Sequence, residues 1–429
     1  MRKIQYPRLD EHLYRETLPN GLDVILLPRK GFSRKIAYFL TDFGAVHTHF
    51  HFEGQEHRVP MGVAHFLEHK LFDMPGDRDV TAEFAALGAN TNAFTSYDMT
   101  AYYFSCTDGF EDCLRLLLEF VSTPYFTEES VQKELGIIDQ EIGMNKDAPD
   151  SCLYENLMAG AYSAHPISKP ILGTRESIRE ITPEILHTCH RAFYTPGNML
   201  LCVVGDVEPD TVTAIARDVL GDGKREVARK IRDWQEPENC GKSQVSAEME
   251  VAMPMFSILF KCPALEKGEE GTRKEILAEM ACEALFGSSS ELYLSLYEKG
   301  LIDTSFGGGF ECLDGCAMVM ISGDSDDPEA VRRAVIDQAA KLAREGVAEE
   351  DFRRMLRSAF GTRMKGLDSF DSTCYRLCAY HLSQFDYFEF PRIYESITPE
   401  QLRDFLGCYI REDNCCLSVI YPLDEEETA

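Results

Sequence analysis

The 429-residue chain predicts an α+β fold built twice over. Three observations lead there. Short apolar runs of strand length alternate with longer segments of helical periodicity. The tetrapeptide Ile181-Thr182-Pro183-Glu184 recurs 216 residues on (398 against 182) as Ile397-Thr398-Pro399-Glu400; at the same offset Asn198 and Asn414 each open an apolar strand. Between the copies, residues 223–245 are charged, contain Gly and Pro, and read as a linker. Two copies of one unit, residues 1–222 and 246–429, is the simplest account.

In the first copy, Gly21–Pro28 and residues 35–44 read as two strands. A histidine cluster follows at 47, 49, 51 and 57. Asp79–Leu87 reads as a helix, and residues 88–95 and Thr100–Phe104 as strands around a turn at Ser96–Asp98. Amphipathic helices are expected over Phe110–Val121, from Glu128 onward, over Ser151–Tyr162 and over Thr182–Phe193. The strand from Asn198 to Gly205 and a helix over Asp210–Leu220 close this half. In the second half, strands are expected near Ser246–Met253, Phe256–Cys262, Ile302–Phe310, Ala317–Gly323 and Cys415–Ile420. Long helices run from Pro328 to Leu382.

Composition narrows the function classes. Hydrophobic residues make up 44% and charged residues 27%, the balance of an ordinary globular protein. A formal charge of −29 gives no general attraction to nucleic acid or to anionic membranes. No apolar run approaches the roughly 20 residues that span a bilayer. The start, Met1 to Pro7, has two basic residues and no apolar core of a secretory signal. Fifteen cysteines, an odd number without Cys-x-x-Cys, fit small core residues in a reducing compartment. The expected location is cytoplasmic.

The chemistry concentrates in His65-Phe66-Leu67-Glu68-His69. On a helix, residues four apart stack on one side, so His65 and His69 can chelate one tetrahedral metal ion. Glu68, three after His65, faces nearly the same way and can take a proton from a water polarised by that ion. The order His-x-x-Glu-His is the inverzincin signature. A catalytic zinc usually has a third protein ligand, and Glu141 is the candidate. Its segment reads as a helix with an apolar stripe of Val131, Leu135, Ile138 and Ile142. Glu134, two turns earlier on the same face, can orient a ligand from behind. A second histidine set, His47, His49 and His51, shares one face of an extended segment. It offers no general base on a fixed helix.

With these motifs in place, the chain resembles the pitrilysin/insulinase-type zinc metallopeptidases, related to the mitochondrial processing peptidases and to smaller bacterial two-domain members. The likeness runs in order through Gly21–Pro28, His65–His69, Gly88–Phe104, Glu134–Pro149 and Phe193–Val207. It implies two homologous α/β sandwich domains, with mixed or antiparallel sheets, set as half a clam-shell. It implies zinc held by His65, His69 and Glu141, Glu68 as catalytic base and Glu134 as supporting acid. It also implies that Asn92, Ala93 and Phe94 lie on an edge strand that pairs with the backbone of an extended peptide. The implied reaction is hydrolysis of peptide bonds.

One departure from the family pattern bears on partners. Where the metal-free half of the family carries an Arg and a Tyr that complete the site, this chain has Tyr297 and Asp303. The expectation is a dimer whose second, homologous chain supplies that pair, with a homodimer as the alternative. A non-catalytic peptide-binding subunit and a metal-storage protein are the rival readings. The intact histidine motif argues against the former, and the latter would survive loss of His65 and His69.

Overall fold

The computed structural model describes residues 1–76 and 78–423. The chain forms two compact units, each α+β. The first comprises Met1–Ile142, Pro170–Asp233 and Met364–Glu389; the second comprises Gly143–Lys169, Trp234–Arg363 and Phe390–Ala429.

The first unit is built on a seven-stranded sheet. In spatial order its strands are Arg2–Tyr6, Glu11–Thr17, Asp23–Pro28, Met199–Gly205, Lys35–Thr41, Thr100–Cys106 and Asn90–Thr95. The central strand Met199–Gly205 is buried along its whole length, as its unbroken apolar run requires. It pairs parallel with Asp23–Pro28 and antiparallel with Lys35–Thr41. Phe39, Phe43, Phe50, Phe66, Phe104, Phe120 and Phe193 fill the adjoining core.

The second unit repeats this pattern on five strands, in the order Gln244–Met249, Cys415–Pro422, Met255–Cys262, Cys316–Asp324 and Gly307–Leu313. Here too the late central strand pairs parallel on one side and antiparallel on the other. The repeated residues do the same jobs. Thr182 and Thr398 cap helices Pro183–Phe193 and Pro399–Tyr409 at the same N-terminal position. The Asn198 amide donates to the Phe193 carbonyl at 3.0 Å, and Asn414 to the Tyr409 carbonyl at 3.5 Å. Each asparagine thus ties a helix C-terminus to the strand that follows.

The units are not the two sequential halves that the repeat predicts. Helix Pro149–Ala161 packs on strands Cys415–Pro422 and Met255–Cys262 of the second sheet. Helix Phe370–Leu382 packs on strands Met199–Gly205 and Lys35–Thr41 of the first. An apolar helix face specifies burial but not which sheet it is buried against. Residues 223–245 are also more than a linker. Arg229–Lys230 pairs with His51 and Phe50, and the Trp234 ring packs edge-on against His165 at 5.1 Å. Glu236 accepts the backbone N–H groups of Ser163, Ala164 and His165 and pairs with buried Lys261 at 2.5 Å.

A buried histidine makes this fold sensitive to acid. Nε2 of His190 donates to the Val121 carbonyl at 2.9 Å. Burial, aided by the charges of Arg225 and Arg191 and only partly opposed by that bond, pushes its pKa down to about 4 from 6.5. The unfolded chain therefore takes up a proton that the folded chain refuses. Stability is fully present above 6.5 and is lost as pH falls toward about 4, by at most about 3 kcal/mol. His190→Gln, which keeps a donor but cannot titrate, is expected to flatten this limb. Urea midpoints on either side of this window check it; an unchanged slope counts against the assignment.

Candidate metal centre

The His65 helix, Val63–Leu71, is apolar on nearly every side, and Val63, Ala64, Phe66, Leu67 and Leu71 are all buried. Such a helix belongs inside the domain. Its two inward polar residues are consequently buried as well: His65 is 7% exposed and Glu68 9%. The helix starts at Gly62, which has φ +88° and no side-chain cap. A Cβ on Gly62 would lie 2.4 Å from the Leu172 carbonyl oxygen. Gly62→Ala is expected to cost about 1–3 kcal/mol or more. The control is Gly54→Ala, at φ +75° with nothing within 4 Å of the new Cβ. Denaturant midpoints should show Gly62→Ala as the worse of the two; equal losses would mean the close approach to residue 172 is unimportant. At the other end, buried Lys70 pairs with Asp73 and donates to the Ser130 carbonyl at 3.4 Å.

The second contributing helix is Glu128–Asp147, anchored by buried Val131, Ile138 and Ile142. Leu135 packs at the edge of the same core. This stripe turns Glu134 and Glu141 toward the histidines. His65 Nε2 lies 3.6 Å from Glu141 Oε1, and His69 Nε2 lies 3.7 Å from Glu141 Oε2. One donor atom from each of the three residues falls within 4.8 Å of the other two. Glu134 Oε1 accepts from His69 Nδ1 at 2.9 Å. That bond fixes the ring and leaves Nε2 facing Glu141. Glu134 therefore acts through His69 rather than joining the convergent set.

These residues fit a divalent ion. A tetrahedral ion with ligands at about 2.0–2.2 Å holds its donors roughly 3.3–3.6 Å apart. The two histidine–carboxylate separations are close to that and too long for hydrogen bonds. Burial, reinforced by the charge of His69, pushes the His65 pKa down to about 3, so the ring is neutral with a lone pair to give. Its Nδ1 is buried without a hydrogen-bond partner among the described residues. At His69, burial lowers the pKa, but the bond to Glu134 and the charges of Glu134, Glu68 and Glu141 outweigh it and raise it overall. The surrounding carboxylates draw positive charge into the site.

Glu68 is buried on the same helix as His65 and His69. Burial raises its pKa, opposed by the Thr95 hydroxyl and the charge of His69. Thr95 Oγ1 donates to Glu68 Oε2 at 2.6 Å. Sequence reasoning missed this contact. Alternation along the strand puts Thr95 on the same face as Ala93 and Thr91, but not which face meets the helix. Asn92, Ala93 and Phe94 lie on strand Asn90–Thr95, at the edge of the seven-stranded sheet. Among the described residues its ladder pairs only with Thr100–Cys106.

Tyr297 and Asp303 are exposed in the second unit, Tyr297 stacked on Tyr293. The 47/49/51 histidines do not converge. His47 accepts from the Gly44 N–H at 2.9 Å, and His49 pairs with Glu56 at 2.7 Å.

Fold and site together define a two-unit α+β protein that presents two histidines and a carboxylate from two helices of its first unit. The chain belongs to the insulinase-type peptidase family M16. The profile described as insulinase (peptidase family M16) matches residues 54–175, and that of the M16 inactive domain matches 180–358. The chain is 36% identical over 431 residues to the uncharacterized zinc protease YmfH of Bacillus subtilis, covering 98% of this chain and 99% of that protein. Against YmxG of the same organism identity is 26% over 328 residues, 74% of this chain and 78% of that one. A protein from Alicyclobacillus acidocaldarius described as an M16-like peptidase superimposes with a TM-score of 0.92 at 32% identity, covering 96% and 98%. A Helicobacter pylori protease shares the fold, with a TM-score of 0.84 at 18% identity, covering 96% and 100%. Among the described residues, no helix is long and apolar enough to cross a membrane.

Proposed function

We propose that this chain is a zinc-dependent peptidase that hydrolyses peptide bonds in extended peptides. The observation that carries the reading is the convergence of His65, His69 and Glu141, with buried Glu68 beside them. Zinc, when bound, supplies a Lewis acid that polarises the scissile carbonyl and lowers the pKa of water toward about 7. His65 and His69 give it Nε2 lone pairs, and Glu141 gives a carboxylate oxygen. Glu68 takes the proton of the attacking water and passes it to the leaving amine. Its raised pKa suits both halves of that transfer, and Thr95 holds its rotamer. The exposed edge of strand Asn90–Thr95, including Asn92, Ala93 and Phe94, takes an extended peptide by main-chain hydrogen bonds.

A mixed peptide library incubated with the zinc-loaded chain, with and without a co-expressed homologue, tests this. Cleavage that a chelator stops and zinc restores is the expected result; cleavage indifferent to chelation contradicts it. Glu134→Gln is expected to weaken zinc about 10–100-fold by loosening His69, measured by competition with a chromogenic chelator.

Tyr297 and Asp303, in place of the family's Arg and Tyr, favour a second feature. A homologous partner chain supplies that pair in a dimer, and a chain without such a partner binds peptide with little turnover. Co-expression with a homologue, followed by sizing and assay, is the check. Activity of the lone monomer equal to that of the pair would contradict it.

A further inference from the structure

The first unit holds another convergent ligand set, made only of sulfur. Cys202 comes from the buried strand Met199–Gly205; Cys374 and Cys378 come from helix Phe370–Leu382, which packs on that strand. The three sulfurs lie within 4.8 Å of one another, and all three side chains are buried. The helical spacing of four puts Cys374 and Cys378 on one face, opposite Cys202. The Cys374 thiol donates to the Cys202 carbonyl at 3.5 Å. Cysteine abundance alone does not produce this. Among the described residues, none of the other twelve of the fifteen cysteines belongs to such a group of three.

We propose that Cys202, Cys374 and Cys378 form a site for one soft, thiophilic metal ion of the Cu(I) class. The donor chemistry selects the ion. Thiolates favour soft ions, whereas hard ions take oxygen. Structural zinc takes four protein ligands, and this set offers three. On binding, each ligating thiol loses its proton to solvent as its sulfur–metal bond forms. The ion enters as Cu(I), and no electron changes hands.

The test is an anaerobic titration of the reduced, metal-stripped full chain with Cu(I) against a Cu(I)-chelating dye. Wild type and Glu141→Gln are each expected to take up one Cu(I) per chain with an ultraviolet thiolate charge-transfer band. Cys374→Ser and Cys378→Ser are expected to lose it, whereas Cys282→Ser, a buried cysteine elsewhere, keeps it. No uptake by wild type, or uptake abolished by Glu141→Gln, overturns the proposal. Should the serine variants fail to fold, copper-edge absorption of loaded wild type decides. An all-sulfur shell supports the site, and a nitrogen or oxygen shell overturns it.

Discussion

Replacing Glu68 with Gln is expected to lower peptide hydrolysis by about 10²–10⁴-fold, the range of general acid–base catalysis, while the protein keeps its zinc. The amide matches the carboxylate in size, and its oxygen can still accept from Thr95 Oγ1, now at 2.6 Å. It cannot accept the proton of the attacking water. Nor does Glu68 belong to the convergent set of His65, His69 and Glu141, so metal retention should not change. Steady-state kinetics and metal analysis on the same preparation separate the two roles. A variant that loses its metal along with its activity would place Glu68 among the ligands instead.

Glu141→Ala is expected to do the reverse in order: the zinc goes first, and the activity goes with it. The fold should tolerate the change. Glu141 is only half-buried, and the helix is anchored by the buried stripe of Val131, Ile138 and Ile142 beside it. Alanine is also a good helix former. Metal-free wild type and variant should therefore melt together. Adding zinc raises the melting point of wild type by mass action and leaves the variant where it was. A variant stabilised by zinc as well as wild type would remove Glu141 from the ligand set. The contrast with Glu134→Gln is informative, because Glu134 touches only His69 in this group and its loss weakens binding without abolishing it.

The parts of this architecture that rest on local chemistry were legible in the sequence. His65, Glu68 and His69 needed only helical spacing, and that helix forms. The repeat was visible through a capping threonine and a strand-opening asparagine, whose hydrogen bonds recur in both units. What depended on tertiary choice was harder to read. Strands Arg2–Tyr6 and Glu11–Thr17 are rich in charged residues and show little apolar alternation, because they lie at the outer side of the first sheet. The hairpin His49–Phe52 and Gln55–Arg58, part of a separate three-stranded sheet, was hidden in the histidine cluster. The strand expected over Ile302–Phe310 forms instead over Gly307–Leu313, since three successive glycines at 307–309 carry no side-chain pattern. The contact between Thr95 and Glu68 joins a strand to a helix 27 positions away, and no periodicity encodes such a pairing.

The most direct test of the account is anomalous scattering at the zinc edge from crystals of the zinc-loaded chain. The expected result is a single strong peak between Nε2 of His65, Nε2 of His69 and the Glu141 carboxylate, with Glu134 still bonded to the far side of His69. A peak among His47, His49 and His51, or none in the first unit, would contradict it.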